Sequence, residues 1–123
     1  MREFLAYGAA ALTGLWGIAH AVPTRQVVAG FEPITADNRR VILQEWVAES
    51  VALWGIALTV VAATVMGSGT DVTEWVYRIA AVALLCLAVL TSLTGARTGV
   101  IWFKICPVLL GLSAVLLLAA SLT

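Results

Sequence analysis

The chain has 123 residues, 62% of them hydrophobic and only 11% charged, and its seven basic and seven acidic side chains sum to zero. A soluble domain carries about 25% charged residues, so this chain cannot clothe a globular surface in polar groups. A soluble enzyme, a disordered chain and a nucleic-acid binder built on a basic patch are therefore excluded. What remains is an all-α polytopic membrane protein, with residues 1–123 as a single transmembrane domain.

A helix needs about 20 apolar residues to cross a ~30 Å hydrocarbon core. Four stretches qualify, at about 4–22, 42–66, 76–96 and 100–122. None alternates with a period of two, so the pattern predicts an antiparallel bundle of four transmembrane helices. Breakers separate them: Pro23 and Pro33, then Gly67-Ser68-Gly69, then Gly95 to Gly99.

The first span has His20 as its only ionisable side chain. Arg2, the apolar run and Ala19-His20-Ala21 also imitate a secretory signal peptide. The run is long for that role, Glu3 spoils the basic start and Trp16 sits near the supposed cut, so the stretch reads as a membrane helix. Gly8, Ala9, Ala10, Ala11, Gly14 and Gly17 make it rich in small residues. Small-xxx-small spacing lets a neighbouring helix approach closely, either inside the bundle or across a homodimer.

The loop at about 23–41 precedes a second helix with Asp37 as the expected N-cap and Asn38-Arg39-Arg40 in a solvated first turn. Counting about 20 residues back from Met66 puts the hydrocarbon boundary near Val47. Glu45 then lies at the interface, and Glu49 about two residues, roughly 3 Å, deeper on the same helix face. Glu45 reads as a solvated carboxylate. An ionisable group inside the slab costs on the order of 2–3 kcal/mol and faces the bundle interior, so Glu49 is expected to be protonated or paired. His20, Arg97 and Lys104, from the other three helices at similar depth, are its candidate partners. Together they form a polar pocket open to one side, or inter-helix glue with the cations snorkelling to the interface.

Leu15-Trp16-Gly17-Ile18-Ala19 recurs as Leu53-Trp54-Gly55-Ile56-Ala57. Each indole falls about seven residues, roughly 10 Å, from the same boundary. Trp16 and Trp54 could wall an apolar pocket above a floor of Glu49 and His20, or simply fill space. With one histidine and no second ligand at metal spacing, no metal site or other cofactor is expected, and His20 alone argues little for a haem. Cys86 and Cys106 lack a CxxC pattern and read as buried thiols.

Orientation follows from Lys and Arg in short loops. Arg25, Arg39, Arg40, Arg97 and Lys104 lie on one side, Arg2 and Arg78 on the other. The first and third loops are thus expected in the cytoplasm and both termini outside the cell membrane. Trp75 and Tyr77 belong to the outer aromatic belt, and Trp102 and Phe103 to the inner one.

The run Glu49-Ser50-Val51-Ala52-Leu53-Trp54-Gly55-Ile56-Ala57-Leu58, a glutamate opening an apolar span with a glycine six residues on, resembles the second span of DoxX-like proteins. These are small four-helix membrane proteins, and the resemblance implies an accessory component of redox or detoxification systems with Glu49 as the residue carried over. The basic residue expected early in the first span is absent here. More faintly, Asp37-Asn38-Arg39, a following glutamate and Leu53-Trp54-Gly55 are similar to the EXPERA sterol-isomerase and sigma-2-receptor group. That similarity implies proton transfer by Glu45 or Glu49 to a hydrophobic alkene or epoxide.

Two functions are expected from these residues. One is a lipophile-binding or accessory component whose activity belongs to a partner membrane or redox protein. The other is a membrane-embedded acid/base enzyme, an isomerase, cyclase or epoxide-opening type. Glu49 would be its proton carrier, His20 or Glu45 the conjugate partner, and the two tryptophans would stabilise positive charge. The expected partners are the lipid bilayer, a hydrophobic small molecule and a second copy or partner protein, with no nucleic acid.

Overall fold

The computed structural model describes residues 1–123. The chain is helical with no strand, in the order α1 (Arg2–Ala21), α2 (Thr24–Ala29), α3 (Ala36–Gly67), α4 (Asp71–Leu93), a 3-10 turn (Gly95–Arg97) and α5 (Ile101–Leu122). Helices α1, α3, α4 and α5 are each long and apolar enough to cross a membrane, the signature of a multi-pass membrane protein.

The boundaries follow from local chemistry. Pro23 cannot donate to a continuing helix, so α1 ends before it and the chain restarts as the short α2. Thr35, not Asp37, caps α3: its Oγ1 accepts from the Asn38 amide at 3.2 Å, while Asp37 sits in the first turn, 2.9 Å from Arg40. A threonine two residues before the expected cap thus takes an orphan amide first, and the carboxylate is left to favour the positive end of the helix. Thr70 caps α4 in the same way, accepting from the Thr73 amide at 3.3 Å. Because that cap precedes Asp71, α4 begins about five residues before the expected span, and it stops at Leu93 with the 3-10 turn separate. The 32 residues of α3 reach about 48 Å at 1.5 Å each, beyond a ~30 Å slab, which leaves its polar first turns outside.

Buried positions recur every three or four residues: Leu53, Ala57, Val60 and Thr64 on α3, and Leu110, Ala114, Leu117 and Ala120 on α5. This is the seam spacing of closely packed helices. The most extensive packing joins α4 to α5 and α1 to α3, followed by α1 to α5, whereas α3 and α4 touch far less. Several of the small residues of α1 lie inside this packing, while Ala11 is exposed. Ala6, Ala9 and Ala10 are buried, and a Cβ on Gly14 would lie 3.6 Å from that of Ala57. Large apolar side chains such as Phe4, Leu58, Ile79 and Val82 face outward, as lipid requires and water would not tolerate at this density.

The two ends differ. At one, Arg2 donates to the Ser68 carbonyl at 2.7 Å and contacts Glu74 at 3.1 Å, and Arg78 reaches the other Glu74 oxygen at 3.1 Å. Ser68 also donates to Glu3 at 2.7 Å. Those charges neutralise each other across α1, the α3–α4 turn and α4. The other end holds the histidine and its glutamate.

Candidate functional site

The last turn of α1 lies against the third and fourth turns of α3. His20 is buried there, with its Nε2 3.5 Å from Glu49 Oε2, while the Glu49 side chain stays 31% exposed. Nε2 makes no hydrogen bond, so the pair is in electrostatic contact without a directed bond between its members.

Trp46 fixes the histidine. Its indole stacks on the imidazole with centroids 3.8 Å apart and planes 19° apart, and its Nε1–H donates to the His20 backbone carbonyl at 3.0 Å. That carbonyl belongs to the last turn of α1 and has no partner within its own helix, so the indole caps the helix end and holds the ring together. Phe103 of α5 meets Trp46 edge-on at 6.0 Å, tying the first turn of α5 to the cluster. Beside it, Trp16 Nε1 donates to Cys106 Sγ at 3.1 Å, and that thiol points to Thr91 Oγ1 at 4.0 Å. Ser50, next to Glu49, is buried with its hydroxyl unpartnered.

The structure therefore brings His20 and Glu49 together, with Trp16 buried nearby. Other expected members lie elsewhere. Glu45 is exposed and its nearest polar partner is Gln44, at 3.5 Å. Positions 45 and 49 differ by about 40° around the helix, enough to turn Glu45 away from α1 while Glu49 meets it. Trp54 is 36% exposed, with its indole laid over Gly17 rather than walling a pocket with Trp16. Arg97, in the 3-10 turn, and Lys104, in the first turn of α5, are exposed, and neither comes within ion-pair distance of Glu49. No group of three or more His, Cys, Asp or Glu side chains is arranged to hold a metal ion.

Sequence reasoning missed Trp46 and Phe103. The signal for Trp46 was present: 46, 49, 50 and 53 share one face at helical spacing, and that face turns out to meet α1. Two surface grooves are lined by neither member of the pair. One follows the outer face of α3 from Arg40 to Ala52; the other separates α3 from α4, lined by Ala52, Gly55 and Thr59 against Ile79, Ala80 and Ala83.

Chemically the site offers one accessible carboxylate backed by a rigid, buried imidazole. It can accept a hydrogen bond or a positive charge, and it can hold a proton on either member. Comparison with protein-family models, with curated proteins and with solved structures gives no match.

Proposed function

We propose that the chain is an antiparallel four-helix transmembrane bundle of the cell membrane that acts as a DoxX-like accessory component, binding a lipophilic molecule at a cytoplasm-facing polar site. The juxtaposition of His20 and Glu49 at 3.5 Å, clamped by Trp46, carries this reading. A half-exposed carboxylate beside a buried imidazole at a helix end can orient the polar head of a molecule whose body stays in lipid. The bundle is supported by opposed register: on α1 and α3, Arg2 meets Ser68, Gly14 meets Ala57 and His20 meets Glu49. The orientation rests on five basic residues at the His20 side against two at the other. A C-terminal reporter active in the cytoplasm overturns that orientation.

The direct test is to purify the wild-type protein and Glu49→Gln from membranes and to compare their co-purifying small molecules by mass spectrometry. A lipophile retained by the first and lost from an equally folded second supports the reading; identical profiles sink it.

A second reading is favoured by the same contact. Glu49 and His20 could carry a proton to and from a hydrophobic alkene or epoxide as an acid/base pair. Turnover of such a substrate by the purified protein, abolished in Glu49→Gln, separates catalysis from binding.

A further inference from the structure

Only two carboxylates in the chain are partly buried, and they are neutralised differently. Glu74 is contacted by both Arg2 and Arg78. Glu49 has no lysine or arginine within 4.0 Å, and the one basic group in contact with it is His20. Of the basic residues on its side of the molecule, Arg39 and Arg40 face Glu32 and Asp37, and Arg25, Arg97 and Lys104 are exposed. The positive charge that Glu74 receives from the chain itself is missing at Glu49. A carboxylate withdrawn from water gains most from an opposite charge.

We propose that Glu49 is the docking carboxylate for an organic cation that partitions into the membrane: an alkylammonium or similarly diffuse positive centre on an apolar body. The neighbouring groups fit that class better than a compact metal ion. Trp46 stacks on the imidazole that contacts the carboxylate, and Phe103 meets Trp46 edge-on; aromatic rings favour large, weakly hydrated cations. The single carboxylate and single imidazole fall short of a metal's ligand set. His20 is a positioning residue here: its Nε2 is buried and it backs the carboxylate without reaching an incoming ligand. The other titratable groups nearby are Glu45, turned outward; Cys106, bonded to Trp16; and exposed Lys104. This inference rests on the proposed lipophile-binding reading and adds the charge of the ligand.

The probe is tetraphenylphosphonium, titrated against the full chain in nanodiscs of phosphatidylcholine and read by equilibrium dialysis. Saturable binding is expected, weakened roughly ten- to hundredfold in Glu49→Gln, as losing a charge-assisted contact implies. Asp71→Asn, at the opposite end, should bind unchanged. Should Glu49→Gln misfold, the wild-type protein still decides: a lipid-soluble carbodiimide should label Glu49, and the phosphonium should suppress that adduct. Equal affinity in Glu49→Gln, no saturable binding, or labelling indifferent to the cation each overturns the inference. If a neutral lipophile co-purifies in a Glu49-dependent way while the cation does not bind, this inference alone fails; if neither binds, the underlying reading fails with it.

Discussion

Trp46 holds His20 at two points, its ring lying 3.8 Å from the imidazole and its Nε1–H 3.0 Å from the His20 carbonyl. The two contacts can be separated. Trp46→Phe keeps an aromatic face and loses the hydrogen bond, at a cost of about 1 kcal/mol. Trp46→Ala loses both and should cost about 2–3 kcal/mol. Thermal unfolding in detergent should rank wild type above Trp46→Phe above Trp46→Ala. Equal melting of the two variants would mean that the stack contributes nothing.

Of the repeated Leu-Trp-Gly-Ile-Ala segment, the structure uses the two copies differently. A Cβ on Gly17 would meet Trp54 Nε1 at 2.7 Å and Leu53 Cβ at 3.3 Å, whereas one on Gly55 meets nothing within 4 Å. Gly17→Ala must therefore displace the Trp54 indole and press on a fully buried leucine, costing about 1–3 kcal/mol. Gly55→Ala should fall within about 0.5 kcal/mol of wild type. Adding Trp54→Ala to Gly17→Ala removes the closest clash and should recover part of the loss. No recovery would place the strain at Leu53.

These two glycines show where the sequence is legible. Hydropathy alone locates four apolar helices, because any such stretch must satisfy its backbone internally in lipid. It cannot say which face of each helix meets which neighbour, since lipid-facing and core-facing side chains are equally apolar. Trp16 and Trp54 are indistinguishable in their pentapeptides, yet one is buried on Cys106 and the other is exposed over Gly17. Glu49 could be singled out because an ionisable residue inside an apolar span is rare. Trp46 is marked only by its place on the same helix face as Glu49, because an aromatic residue near a membrane boundary is by itself ordinary there. Arg97 and Lys104 are expected at the depth of Glu49 but are exposed and make no ion pair with it, since depth alone carries no rotational information.

Glu74 bridges two arginines, at 3.1 Å each. Glu74→Gln removes both contacts at once, while Arg2→Gln or Arg78→Gln removes one. The groups are partly solvated, so the double loss should be only about 1 kcal/mol; each arginine substitution removes one ion pair and, in addition, that arginine's hydrogen bond to a backbone carbonyl, of Ser68 or Ser121. Raising the salt concentration should shrink the gap between wild type and Glu74→Gln, as screening requires. A salt-independent gap would show that packing, not charge, holds that end.

Thr64 and Tyr77 link α3 to α4, with Oγ1 and the phenolic oxygen 2.7 Å apart, and Tyr77 has no exposed surface. Thr64 Oγ1 also lies 2.7 Å from the Val60 carbonyl one turn back. A carbonyl can only accept, so the threonine hydrogen goes to Val60 and the tyrosine donates to Thr64. The two substitutions are then unequal. Tyr77→Phe removes a donor and leaves Thr64 satisfied by Val60, costing roughly 0.5–1 kcal/mol. Thr64→Val leaves the phenol buried without an acceptor and should cost about 1–3 kcal/mol. A double-mutant cycle on thermal stability reads the coupling, with the double variant expected to recover part of the Thr64→Val loss. If Tyr77→Phe proves the costlier change, the donor assignment is reversed and Thr64 gives its proton to the tyrosine.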